Sequence, residues 1–117
     1  MFLIRQITSA PSQKMSLALQ DGTYLTMIIY FMPMQQTWII RELTYNDFTI
    51  YGPRIVVSPN FLHQYKNQIP FGIGCFTNEY REPSLSQDFS SGAFKLYLLS
   101  DEETNQYAEL LQSSGVS

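Results

Sequence analysis

Cys75 and His63 are the first residues to test for chemistry, because each is the sole member of its type in the chain. A thiol nucleophile needs a base beside it, and His63 is the one imidazole on offer. Nothing in their spacing joins them, and a free cysteine in the Gly-rich stretch Phe71–Thr77 reads as a small hydrophobe. One His and one Cys cannot close a zinc site, nor can a lone cysteine form an intramolecular disulfide. The acidic residues show no calcium-loop spacing. Asp101, Glu102 and Glu103 are consecutive, as suits the positive end of a helix dipole. Glu42, Asp47 and Glu79 are the carboxylates a β-fold would have to bring together for glycoside chemistry, but no motif surrounds them. Phe71-Gly72-Ile73-Gly74 lacks the third glycine and the Lys-Ser or Lys-Thr of a phosphate loop. The expectation is a protein that is not an enzyme and holds no cofactor or metal.

Binding chemistry is better represented. Aromatics make up 15% of the chain, and Tyr24, Tyr30, Phe31, Trp38 and Tyr51 could stack on sugars or bases. Their mid-strand positions favour core packing instead. Charged residues are also only 15%, against about 25% in an ordinary soluble domain. Low charge with many aromatics and five Met is the composition of protein interface cores, so much of this surface is expected to be covered by partners. Residues 1–100 carry net +1 and residues 101–117 carry −4, which gives the overall −3. With no basic stripe, the electrostatic footprint of a nucleic-acid binder is missing.

The elements that must position these residues are mostly strands. Turn signals recur at roughly 8 to 12 residues, the rhythm of a small sandwich or barrel. Strands are predicted at 15–19, 24–32, 37–44, 48–51 resuming at 54–57, 71–77 and 93–99. Asp21-Gly22 and Asn46-Asp47 mark hairpin turns. In the 37–44 strand both faces carry apolar residues, so the inner face is ambiguous. Gly72 and Gly74 suggest close approach of another backbone. Ser58-Pro59 reads as an N-cap followed by a first-turn proline, which predicts a short helix near 59–65. Ser100 and Glu103 form a capping box that opens a helix near 101–112, with Tyr107, Leu110 and Leu111 on its apolar face. Residues 78–92 read as a polar, Ser-rich loop.

The fold expected is therefore mainly β: a single-domain antiparallel β-barrel or β-sandwich over 1–112, with a flexible tail at 113–117. There is no signal-peptide pattern at the start. The longest apolar run, Met27–Pro33, is far short of the roughly 18 residues of a membrane span, so no membrane insertion is expected. Trp38, Leu62 and Tyr65 are expected to be packing residues. Arg54, Phe71, Phe76, Phe89 and Phe94 are the candidate partner contacts, since Arg and aromatics dominate interface hot spots.

The order of these features resembles the phage baseplate plug family of contractile-tailed phages. The resemblance rests on Pro11-Ser12-Gln13-Lys14 before the first strand, Asp21-Gly22-Thr23-Tyr24-Leu25 into a long strand, Trp38 opening the next, and the turn at Asn46-Asp47. Its most specific stretch is Tyr51-Gly52-Pro53-Arg54-Ile55-Val56-Val57-Ser58-Pro59-Asn60-Phe61-Leu62, closing at Tyr65, where the family is similar in pattern: Gly-x-x-Leu-Val-Pro-Gly-x-Asn-Leu-Leu. Pro83 and the closing strand Phe94-Lys95-Leu96-Tyr97-Leu98-Leu99 complete it. The chain departs from the family in lacking glycine at Ser58-Pro59-Asn60 and in its Ser-rich final loop.

The resemblance implies a virion protein, assembled in the host cytoplasm. It would sit in the tail baseplate in several copies, join the tail tube to the central spike, and close the lumen before contraction. Its implied partners are tube-initiator, hub and spike proteins. The acidic C-terminal helix and residues 84–92 would then order on assembly. The alternative from the residues alone is a small β-barrel module for oligosaccharide or single-stranded nucleic acid.

Overall fold

A computed structural model describes residues 2–19, 22–65 and 67–106. Among these residues are seven strands: β1 (Phe2–Leu3), β2 (Ser12–Ala18), β3 (Tyr24–Met32), β4 (Thr37–Tyr45), β5 (Phe48–Ile50), β6 (Gly72–Thr77) and β7 (Phe94–Leu99). They form two antiparallel sheets, a three-stranded one in the order β1-β7-β6 and a four-stranded one in the order β2-β3-β4-β5. Among the described residues no ladder closes the sheets on each other, so the architecture is a sandwich and not a barrel.

Alternation of side chains decides which face of each strand is inside. In β3, Leu25, Met27, Ile29 and Phe31 are buried, while Tyr24, Thr26, Ile28, Tyr30 and Met32 face outward. In β4, Trp38, Ile40 and Leu43 point in and are fully buried. The change of parity between Ile40 and Leu43 comes from a bulge. Ile28 pairs with Glu42 and Ile29 with Ile40, which leaves Arg41 unpaired. The opposing sheet supplies Ile73, Cys75, Phe94, Leu96 and Leu98 to the same core. Trp38 lies at its centre, 5.3 Å from both the Phe31 and Phe89 rings, and its indole N–H donates to the Leu85 carbonyl at 3.0 Å. The bond satisfies a polar atom that burial would otherwise strand.

The short helix predicted near 59–65 is confined to the last three of those residues. Ser58 instead exchanges backbone bonds with Cys75 at 3.1 and 2.9 Å, and Phe61 N–H donates to the Ile73 carbonyl. Only a single 3-10 turn remains, at His63–Tyr65. The side chain that organises this stretch is Asn60, whose Oδ1 accepts from the amides of Leu62 and Ile73. Gly72 and Gly74 are where the sequence suggested a close approach. A Cβ on Gly72 would lie 2.7 Å from the Asn60 side chain, and one on Gly74 2.5 Å from the Pro59 carbonyl oxygen.

Residues 54–57 are not a strand, although Arg54 bridges Ile39. Backbone bonds from Ile40 to Pro53, Gly52 to Ile40 and Ile55 to Trp38 keep this segment along β4. The short strand β1 was not foreseen; it pairs with β7.

Residues 84–92, expected to order on assembly, are already organised by Asp88. This carboxylate is 1% exposed and accepts from the amides of Ser84 and Leu85. It also takes two bonds from the Arg81 guanidinium, at 2.8 and 2.7 Å. Ser100 Oγ accepts from the Glu103 amide and Glu103 Oε1 from the Ser100 amide, the reciprocal capping box expected. Residues 101–106 are helical. Asp21, Tyr107, Leu110, Leu111 and the predicted tail at 113–117 lie outside the described residues.

Candidate interaction surface

The outward face of the four-stranded sheet is where the unabsorbed apolar residues collect. Ladder partners share a face, so the register places them in rows. One row runs Ser12, Tyr30, Ile39, Arg54 across β2, β3, β4 and the bridged segment. The next runs Lys14, Ile28, Glu42, and the one after it Ser16, Thr26, Thr44, Thr49. The solvent face of an antiparallel sheet is usually polar. Here Ile28, Tyr30, Met32 and Ile39 are only half-buried in the isolated chain.

Cations border this band. The bulge turns Arg41 outward, with its guanidinium over the Tyr30 ring at 5.7 Å from the centroid. Arg54 is exposed and its Nε donates to Thr37 Oγ1 at 2.9 Å. Lys14 is exposed beside Ile28. Among the described residues none of the three cations is in an ion pair, and Glu42 is the one carboxylate in these rows. The face is thus apolar in the middle and net positive around it.

The candidate partner contacts scatter. Arg54 lies on this face. Phe76 is half-buried on β6 with its ring edge-on to Tyr97 at 5.5 Å, and so belongs to the other sheet. Phe71, Phe89 and Phe94 are corrected to core residues, at 1%, 8% and 1% exposure. Phe71 packs edge-on against Tyr45 and Phe89 against Trp38, while the Arg81 guanidinium covers the Phe94 ring at 4.8 Å. Phe71 immediately precedes β6 and Phe94 opens β7, both facing the core, and the loop that carries Phe89 folds back over the sandwich. Trp38 and Leu62 are fully buried and Tyr65 packs at the core's margin, as expected of packing residues. Sequence reasoning missed Tyr30, Ile28, Ile39 and Arg41 as a group. The available signal was a pair of neighbouring strands with apolar residues on both faces.

Of the residues tested for catalysis, only Glu42 lies in these rows. Cys75 is fully buried, and burial first, with Glu82 and Asp88 adding repulsion, pushes its thiol up to about 12. It is a packing residue. Glu42 sits on β4 and Asp47 in the turn after it, whereas Glu79 is on the loop after β6, 3.8 Å from Arg81. Among the described residues no three His, Cys, Asp or Glu side chains gather to hold a metal ion, and no helix is long and apolar enough to cross a membrane. Comparison of the chain with protein-family models and with curated proteins finds no match.

Proposed function

We propose that the chain is a structural subunit of a contractile phage tail: a plug or hub-type baseplate component that joins the tail tube to the central spike and closes the lumen before contraction. It acts in the virion, is assembled in the host cytoplasm, and binds tube-initiator, hub and spike proteins. The motif order described above supports this reading. The observation that carries it is the outer face of the four-stranded sheet, with half-buried Ile28, Tyr30 and Ile39 inside a border of Lys14, Arg41 and Arg54. Such a face fits a partner surface that is apolar at its centre and acidic at its edge.

The test is light scattering of the purified chain alone and mixed with the neighbouring tube, hub and spike proteins. A stable complex is expected. It should weaken on Arg54→Glu and Arg41→Glu, mainly through a slower association that salt no longer slows further, as rim charges act on encounter. A chain that ignores those proteins refutes the reading, and oligosaccharides and single-stranded nucleic acid become the ligands to screen. Those ligands need rings gathered in one concavity. The most exposed tyrosines, Tyr24, Tyr51 and Tyr80, are distributed over β3, the segment after β5 and the loop after β6.

A further inference from the structure

A sheet edge is a row of unused backbone donors and acceptors, and proteins normally cover or shorten it. Three of the four edges in this sandwich are managed that way. β1 has two residues and β5 three, and the backbone of Ser58 and Phe61 lies against β6. The fourth edge, β2, is seven residues long and its ladder with β3 runs without a bulge. It contains no proline and one charge, Lys14. Among the described residues nothing pairs with its free side.

The register tells which groups face outward. Phe31 N–H donates to the Pro11 carbonyl at one end of the ladder and Leu19 N–H to the Thr23 carbonyl at the other. In an antiparallel ladder bonding alternates along each strand, so odd-numbered residues of β2 bond to β3. The backbone groups of Ser12, Lys14, Ser16 and Ala18 therefore point away from the sheet. All four residues are exposed.

We propose that β2 pairs antiparallel with β2 of a second copy of this chain about a two-fold axis through Met15. Centring on Met15 sets Ser12 against Ala18 and Lys14 against Ser16, in both directions. Every outward group of both strands is then bonded. Centring on Lys14 would set Ala18 against Ala10, which lies outside β2 with its N–H and carbonyl already bonded to Thr8 Oγ1 and Gln13 Nε2, and would place two like charges directly opposite, which is unfavourable. The register that satisfies the most backbone thus also sets each lysine against a serine and only diagonal to the other lysine, and this self-complementarity marks a second copy as the occupant. The contact is isologous, so it closes as a dimer and does not propagate. Joining the edges makes one eight-stranded sheet that doubles the outer face around the axis. The inference rests on the β2 edge alone and not on the tail reading.

Sedimentation equilibrium of the purified chain over a concentration series tests it, with no tail protein present. A monomer–dimer equilibrium is expected. Ser16→Glu places a carboxylate opposite the other copy's Lys14 twice per dimer and should tighten it about three- to tenfold, whereas Ser16→Lys should loosen it by a similar factor. Exchanging the pair, Lys14→Glu with Ser16→Lys, should restore dimerisation. Ser16→Pro removes an outward N–H that β3 does not use, so the dimer should be lost while the circular dichroism of the fold persists. If Ser16→Pro does not fold, the charge series still decides. A chain that stays monomeric at every concentration overturns the proposal. So does a dimer indifferent to Ser16→Pro, or one that Ser16→Glu and Ser16→Lys shift in the same direction.

Discussion

Asn60→Ala should be among the most damaging single substitutions in this chain. Asn60 is 2% exposed, and its Oδ1 accepts from the Leu62 amide at 3.1 Å and the Ile73 amide at 3.2 Å. Truncation leaves both buried donors unmade, at about 1–3 kcal/mol each. Its Nδ2 has no partner among the described residues, so losing it returns part of that cost. The net loss expected is about 3 kcal/mol, a large share of the roughly 5–15 kcal/mol that holds a domain of this size. Urea denaturation reads it as a midpoint lower by about 2 M at an m-value near 1.5 kcal/mol/M.

The same geometry predicts coupling to Gly72. Gly72→Ala should clash with the Asn60 side chain at 2.7 Å in the parent chain, but not once Asn60 is truncated. A double-mutant cycle should therefore show the pair costing less than the sum of the singles, by about 1–3 kcal/mol. Amide exchange at Ile73 should also accelerate. A loss below about 0.5 kcal/mol for Asn60→Ala, or strict additivity with Gly72→Ala, would refute the assignment of Asn60 as the tie between the 58–62 segment and β6.

Three other outcomes are expected. Gly74→Ala must displace the Pro59 backbone, 2.5 Å away, and should lower stability by at least about 1–3 kcal/mol in thermal unfolding; an unchanged melting temperature would contradict the packing there. For Asp88, burial pulls the carboxyl up, but the Arg81 guanidinium and the Leu85 and Ser84 amides outweigh it and hold the folded value below the usual range. The unfolded chain then binds the proton more readily. This contribution is present above about pH 4 and is lost as pH falls through the folded value. Urea midpoints measured between pH 5 and pH 2 should fall, and Asp88→Asn should remove that part of the slope. The Cys75 thiol, buried and pushed up to about 12, should react with a disulfide reagent only at the rate of unfolding; native labelling as fast as a free thiol would show that the site opens.

Local signals were legible where one element decides the outcome. The strand Tyr24–Met32 follows from its β-branched and aromatic run and the proline that ends it. The Ser100–Glu103 box needs only its own four residues. The helix read at 59–65 is shortened to His63–Tyr65 because its N-cap signal is local while its competitor is not. Ser58 gives its backbone to Cys75, seventeen positions on, and no propensity argument sees that bond. Burial of Phe89 was hidden for a similar reason, since a loop aromatic turns inward only if the loop folds back. Within residues 78–92, the Arg81–Asp88 pair that makes it do so spans seven positions with no periodic pattern to announce it. The outer-face band was half visible: apolar residues on both sides of 37–44 showed that a second surface existed, but the bulge at Arg41 that composes it depends on the register with β3.

The segment 52–61 has a mechanical consequence. Its first half bonds along β4 through Gly52, Pro53 and Ile55, and its second half bonds along β6 through Ser58 and Phe61. Side-chain contact between two layers is non-directional and yields gradually to sliding. Backbone bonds are directional and weaken steeply once misaligned. One continuous stretch of chain therefore fastens each layer to the other as a strap does, and a pull applied to either sheet along its strands is carried into its neighbour through the main chain. Sliding the layers past each other requires breaking the bonds at one end of that strap or the other, so the sandwich resists shear as a single body.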